Sequence, residues 1–257
     1  MRFCLCLCAL LALLACKKKD DRSTLDKVLE RGTLRVGTEP EFAPFETRNE
    51  KGEFVGFDMD MARELAKDLG VKLEITAMKW VSLPTALGND EIDVIISGMT
   101  MTDERAKSRS FTKPYFHTGL CLLVNVNSGI TKPEDVGAKR LVVKRGTTGD
   151  INADRLFPDA KIVRLQKEGA CALDVVNGRA DAFLYDQLSI LKHHKANPKT
   201  TRALLNPLTL EPYAMAVRLG DTKFVDRLNE FLADMRADGR YAKLREKYLK
   251  ELPDDVR

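Results

Sequence analysis

Apolar positions along the chain alternate between two periods. Leu34-Arg35-Val36 predicts a first strand, after which Met59, Ala62, Leu65, Ala66 and Leu69 recur at helical spacing. Asp58 is the expected N-cap of that helix and Gly70 its stop. Val71, Leu73 and Ile75 alternate as the next strand, Pro84 to Leu87 opens a short helix, and Asp93-Val94-Ile95-Ile96 reads as a buried strand ending at Ser97-Gly98.

A second unit repeats this order. Arg140-Leu141-Val142-Val143 is a strand, a helix starts near Asp150, Lys161-Ile162-Val163 is a strand, Ala170 to Val176 a helix, and Ala182-Phe183-Leu184 a strand. The stretches Asn89 to Ser97 and Asn177 to Tyr185 resemble each other in composition. Two similar units of alternating strand and helix predict two α/β lobes with largely parallel sheets. Phe224, Leu228, Phe231, Leu232 and Met235 form one face of a C-terminal helix, Gly239 breaks it, and Leu244 and Tyr248 lie beyond. No third sheet follows, so these helices must pack on an existing lobe, and a cleft between lobes is a favoured place for a ligand.

The first residues break the alternation. After Met1-Arg2 an apolar and small-residue run extends from Phe3 to Ala15 and stops at Cys16, followed by Lys17-Lys18-Lys19-Asp20-Asp21. The run is shorter than the roughly 20 apolar residues of a spanning helix, and it reads as a signal-peptide core. Leu13-Leu14-Ala15-Cys16 resembles the lipobox of bacterial lipoproteins, which implies diacylglycerol on Cys16 and a tether from Lys17 to Ser23. An ordinary secretory signal is the alternative, since Cys4, Cys6 and Cys8 lie in the same run. Of the six cysteines only Cys121 and Cys171 lie beyond Cys16; they read as two small buried hydrophobes, although an exported protein could also pair them.

The formal net charge of +4 is spread along 257 residues without a basic stripe carrying interleaved aromatics, which argues against nucleic acid as a partner. The Lys17 to Lys19 run suits contact with anionic headgroups, with a solvated tether as the simpler account. Gly146-Thr147-Thr148-Gly149 lacks the ending of a phosphate loop, and neither His-Glu-x-x-His nor Cys-x-x-Cys pairs occur. His193 and His194 are adjacent, point about 100° apart on a helix and read as solvated. No metal and no cofactor is expected.

Four groups stand at or just after predicted strand ends: Gly37 to Phe45, Ser97-Gly98-Met99-Thr100 with Arg105, Lys144 to Gly149, and Tyr185-Asp186. Together with Gly56-Phe57-Asp58 and Thr102-Asp103-Glu104-Arg105, this ordered set resembles the polar amino-acid family of bacterial periplasmic solute-binding proteins from about Leu34 to Leu249. The resemblance implies an α/β, two-lobed periplasmic-binding-protein fold with a hinge and an interlobe ligand cleft. The expected division is a signal peptide over 1–15, a lipid-anchored tether and lead-in over 16–33, a discontinuous first lobe over 34–118 and 213–257, and a second lobe with the hinge crossings over 119–212. The crossings are expected near His117 to Cys121 and Leu208 to Tyr213.

A free amino acid is a zwitterion, so its site needs a carboxylate clamp and an ammonium acceptor a few ångströms apart. Arg105 supplies a planar fork that bonds a carboxylate bidentately, and by resemblance it holds the ligand α-carboxylate. Its alternative is a surface arginine in a charged loop. Asp186 follows a buried strand; the resemblance gives it the α-ammonium, with Ser97 or the Gly98 carbonyl, while an N-cap for the segment from Gln187 to His193 is compatible. Thr100 and, from the opposite lobe, Thr148 are expected to add donors to the carboxylate. Phe42 and Trp80 match positions against the ligand body, core packing being the alternative for Trp80, and Tyr185 and Gly98 shape the distal end.

Glu39 and Lys144 govern specificity. If Glu39 points freely into the pocket, it selects a basic side chain such as arginine or lysine. If Lys144 crosses the cleft to pair with it, a neutral polar side chain such as glutamine fits better. The implied partners are a free amino acid, an ABC-transporter permease and, through the lipid, a bacterial membrane on its periplasmic or extracytoplasmic face, the protein itself being a monomer. The competing reading is an enzyme resembling cyclohexadienyl dehydratases, whose catalytic acid falls near Glu211 in Leu210-Glu211-Pro212-Tyr213. An Arg105 and Asp186 pair suits an α-amino acid and not prephenate, which has no ammonium. A receptor-kinase sensor domain is not expected, for no membrane span or kinase region is read through Arg257.

Overall fold

The computed structural model describes residues 22–250; the signal run, Cys16 and the tether from Lys17 to Asp21 lie outside them. Two five-stranded sheets organise the chain. The first runs in the order Lys72–Ala77, Thr33–Thr38, Val94–Ile95, Ala216–Arg218, Arg109–Phe111, and the second in the order Lys161–Leu165, Arg140–Lys144, Ala182–Asp186, Leu120–Asn125, Thr201–Leu204. In each the first three strands are parallel and the fourth runs antiparallel to both of its neighbours, so the fifth points the same way as the first three. Four of the five strands in each sheet thus share one direction, as expected of largely parallel sheets, and the single reversed strand, Ala216–Arg218 or Leu120–Asn125, is the one by which chain arriving from the other lobe enters.

The internal repeat is physical as well as compositional. Asp93 in the first sheet accepts from the backbone N–H and guanidinium of Arg35, at 2.8 Å each, and Asp181 in the second does the same for Arg140, at 2.8 and 2.9 Å. Each carboxylate sits just before the third strand and pins the start of the first, so the Asn89 and Asn177 stretches are matching parts of two similar lobes.

Period-two alternation places residues on opposite faces of the second sheet. Leu141, Val143, Leu120, Leu122, Leu184 and Ala182 enter one cluster, while Val142, Cys121, Leu123 and Phe183 enter another. In the first lobe the helix Phe57–Asp68 buries Phe57, Met61 and Leu65 beside Leu34 and Val36, and the C-terminal helix Thr222–Ala237 adds Phe224, Leu228, Phe231, Leu232 and Met235 to the same core. Each such side chain contributes roughly 1.5–3 kcal/mol of hydrophobic stabilisation. Gly239, at φ 83°, turns the chain into the last helix, Arg240–Leu249.

Several local expectations change. Gly56 takes the N-cap position before Phe57, and Asp58 does not cap: it is buried and accepts from Gly98 N–H at 2.7 Å and the Tyr115 hydroxyl at 2.8 Å. Residues Thr24–Arg31, read as lead-in, form a helix capped by Ser23, whose hydroxyl also donates to Asp221 at 2.6 Å, so Ser23 is held against the first lobe instead of ending a free tether. His193 is not simply solvated; its Nε2 lies 2.7 Å from Oε1 of buried Glu168. Cys121 and Cys171 are both buried free thiols, which burial pushes up to about 12.

Between the sheets, the short strands Phe116–Thr118 and Glu211–Tyr213 pair antiparallel, with Glu211 opposite Thr118 and Tyr213 opposite Phe116. Both passages of the chain from one sheet to the other run through this ribbon.

Candidate functional site

The carboxyl ends of the parallel strands from both sheets face one another across a cleft with about 330 Å³ of space free of protein atoms, part of it open to solvent. All eleven expected ligand-site residues line it. Glu39 follows the strand Thr33–Thr38, Ser97 and Gly98 follow Val94–Ile95, Lys144 ends its strand, and Tyr185 and Asp186 end theirs. That is where open α/β sheets leave room for a ligand, because the helices that follow the strands splay away.

Arg105 is buried and belongs to the cavity, not to a surface loop. A short helical turn, Asp103–Ala106, capped by the Thr102 hydroxyl, aims it inward. Its Nη1 donates to the Thr100 carbonyl at 2.8 Å and its Nη2 to the Gly146 carbonyl of the second lobe at 3.2 Å. Burial, helped by the positive charge of Arg109, brings the guanidinium down to about 10, so it remains a cation at neutral pH. Trp80 is half-buried beside it: the guanidinium carbon lies 5.3 Å from the ring centroid, and the indole Nε1 donates to the same Gly146 carbonyl at 2.9 Å. Two first-lobe donors thus close on one second-lobe acceptor.

Asp186 begins the helix Gln187–Ala196 but makes no capping bond; its Oδ1 accepts from the Tyr213 hydroxyl instead. Burial, then the nearby charge of Glu211, pushes its carboxyl up to about 7. Thr148 opens the helix Thr148–Leu156, whose N-terminus meets the cavity and carries unpaired backbone donors and a partial positive charge.

Lys144 crosses the cleft and donates to Glu39 Oε2, with both side chains almost fully buried. Glu39 Oε1 accepts from the Trp80 backbone N–H at 3.2 Å. Of the two arrangements open in the sequence, the structure contains the paired one.

Phe42 packs edge-on against Tyr185, with ring centroids 5.8 Å apart. Gly98 stands at φ 50°, and a Cβ there would lie 2.5 Å from the Phe42 ring, so only glycine lets the ring reach the cavity wall.

Two lining residues escaped sequence reasoning, Glu46 and Thr147. Thr147 caps the helix after it and donates to the Lys144 carbonyl at 2.7 Å, fixing the loop. Glu46 accepts from the Ser97 hydroxyl at 2.6 Å; burial, then the charge of Asp58, pushes its carboxyl well above the usual range, and burial pushes the Asp58 carboxyl up to about 6. Its one signal was an acid directly after an aromatic and proline run, Phe42-Ala43-Pro44-Phe45, where an unpaired charge would be costly. Glu211, the candidate acid of the enzyme reading, is buried on the hinge ribbon, accepts from the Thr209 hydroxyl at 2.6 Å and does not line the cavity.

Comparison with known proteins agrees with this geometry. Residues 34–251 match the family of bacterial extracellular solute-binding proteins, family 3. A probable histidine-binding protein of Neisseria gonorrhoeae is 33% identical over 246 residues, covering 94% of this chain and 92% of that protein. The ABC transporter glutamine-binding protein GlnH of Bacillus subtilis is 30% identical over 241 residues, covering 92% and 88%. Among solved structures, the ancestral amino acid-binding protein AncCDT-1, a precursor of cyclohexadienyl dehydratase, superposes with a TM-score of 0.81 at 37% identity, covering 88% of this chain and 99% of that one.

Proposed function

The chain belongs to the bacterial extracellular solute-binding proteins, family 3, and from that membership we propose that its cleft captures a free amino acid with a neutral polar side chain and hands it to the permease of an ABC importer. The protein is an exported binder of a polar amino acid, not an enzyme; its relatives are named as binding proteins of amino acids and of an ABC transporter. The observation that carries the reading is that Arg105 and Asp186, one cationic and one acidic, line a single cleft between the two sheets. That is the complement of a zwitterion. Arg105, with Thr100 and the Thr148 helix start, takes the α-carboxylate; Asp186, with Ser97 and the Gly98 carbonyl, takes the α-ammonium.

The distal end fixes the ligand class. Glu39 and Lys144 neutralise each other, and burial beside Asp58 pushes the Glu46 carboxyl towards its neutral form, which disfavours a charged side chain there. A basic side chain would be repelled by Lys144 and an acidic one by Glu39, whereas an amide can accept from Lys144 and donate to Glu39. Glutamine fits this best. Phe42, Trp80 and Tyr185 cover its aliphatic stem.

The same proposal divides the chain into a first lobe over 34–118 and 213–257 and a second over 119–212, with the antiparallel ribbon as hinge, so that ligand contacts from both lobes couple binding to closure. Lipid on Cys16 would hold a monomer near its permease; one thioether-linked diacylglycerol and an amide-linked chain supply the multiple acyl chains that stable anchoring needs. A thermal-shift screen of the delipidated protein against the common amino acids tests the reading. Neutral polar amino acids, glutamine foremost, should raise the melting temperature, since ligand at 100 times its dissociation constant adds about 2.7 kcal/mol. A protein stabilised by none of them, yet turning over prephenate or arogenate, would move to the enzyme class.

A further inference from the structure

Glu211 and Tyr213 stand two residues apart on the hinge strand, so their side chains leave the same face, and both are buried. The Tyr213 ring packs among Phe42, Phe45 and Phe116, while its hydroxyl reaches Asp186 at the end of the strand Ala182–Asp186 in the other sheet. Glu211 is turned by its bond from Thr209 and leaves Oε2 buried without a hydrogen-bond partner. Neither residue lines the cavity.

We propose that Tyr213 and Glu211 are positioning residues for the ammonium subsite: Tyr213 orients Asp186 and stabilises its charge, while Glu211 opposes that charge until a ligand cation arrives. The inference rests on reading Asp186 as the ammonium acceptor. A single buried carboxylate would otherwise ionise only at a high cost, and a second carboxylate close by adds to it. The other groups acting on Asp186 are Glu168 from the helix Glu168–Val176, which also resists ionisation, and Arg105 from across the cleft, which interacts favourably with it. Tyr185 beside it and Cys121 on the neighbouring strand are held neutral by burial. The balance leaves Asp186 at about 7 before ligand arrives. An incoming ammonium favours the ionised form, so affinity should climb with pH up to about 7 and then level off.

The two neighbours act in opposite senses, and that separates this proposal from a merely structural role. L-glutamine is titrated calorimetrically into the full, delipidated protein between about pH 5 and 8. Glu211→Gln removes the opposing charge, so the rising limb of affinity moves to lower pH. Tyr213→Phe removes the donor that stabilises the carboxylate, so the limb moves to higher pH. Displacements of about half a pH unit or more, each about a threefold change in affinity on the limb, are expected. Asp186→Asn, with no carboxyl to titrate, should lose the limb altogether and controls for folding of the neighbours. Wild type that binds glutamine, with limbs unmoved or moved the same way in both variants, overturns the positioning pair alone. Wild type that binds no glutamine at any pH overturns the reading on which the pair rests, and the pair with it.

Discussion

Lys144, at the end of a second-sheet strand, donates across the cleft to Glu39, which follows a strand of the first sheet. The pair therefore bridges the two lobes across the cleft, and on the proposed reading it sets which charges a ligand side chain meets. Removing one partner of a buried pair typically costs about 3–5 kcal/mol, because the other is left uncompensated.

Lys144→Met should leave Glu39 facing the pocket alone, where a guanidinium or ammonium can replace the lost partner. The ratio of arginine to glutamine affinity should rise by at least about tenfold, or 1.4 kcal/mol, measured by calorimetry on both ligands. An unchanged ratio would show that the distal end of the ligand does not approach Glu39.

Arg105→Lys keeps the charge but loses the fork that holds the Thr100 and Gly146 carbonyls and that, on the proposed reading, also takes the ligand carboxylate. Affinity should fall by at least about tenfold with little change in the melting temperature of the unliganded protein. Equal affinity in the two proteins would remove the carboxylate clamp from the account.

Trp80→Phe keeps an aromatic face for the ligand but deletes the indole donor to the Gly146 carbonyl. The unliganded protein should then open further, which small-angle scattering reads as a larger radius of gyration, while saturating ligand restores the wild-type value. Identical unliganded profiles would mean that this bond does not hold the lobes together.

Asp186 gives a pH signature in the absence of ligand. Its carboxyl lies at about 7 in the folded protein against about 3.9 in an unfolded chain, so the folded state holds a proton that the unfolded state releases. Its contribution to stability is complete below about pH 4 and disappears as pH rises through about 7. Asp186→Asn lacks this loss, so its melting temperature relative to wild type should increase as pH is raised across that window. A difference that stays flat with pH would place the carboxyl at an ordinary value.

Much of this architecture was legible in the chain. Alternating and helical periods located the strands and helices around Val36, Leu65, Val142 and Phe231, because burial on one face leaves a periodic trace. Arg105 and Asp186 were legible as cleft residues because the ordered set after the strand ends resembles the family, and a zwitterion needs the opposite charges they offer. What local pattern could not reveal were relationships made only by the returning chain: the antiparallel strands Leu120–Asn125 and Ala216–Arg218, the buried role of Asp58, and the Glu46 carboxyl brought to the cavity by the turn after Phe42. Glu39 and Lys144 lie far apart in sequence, so their pairing depended on lobe closure. The helix Thr24–Arg31 was missed because so short a segment has little helical signal apart from its tertiary contacts.

The most direct test of the central claim is a calorimetric comparison of glutamine, arginine and glutamate on the delipidated wild-type protein near neutral pH. Glutamine should bind one-to-one, at least about tenfold tighter than either charged amino acid, because Glu39 and Lys144 cancel at the distal end. Arginine or glutamate binding more tightly than glutamine would contradict it.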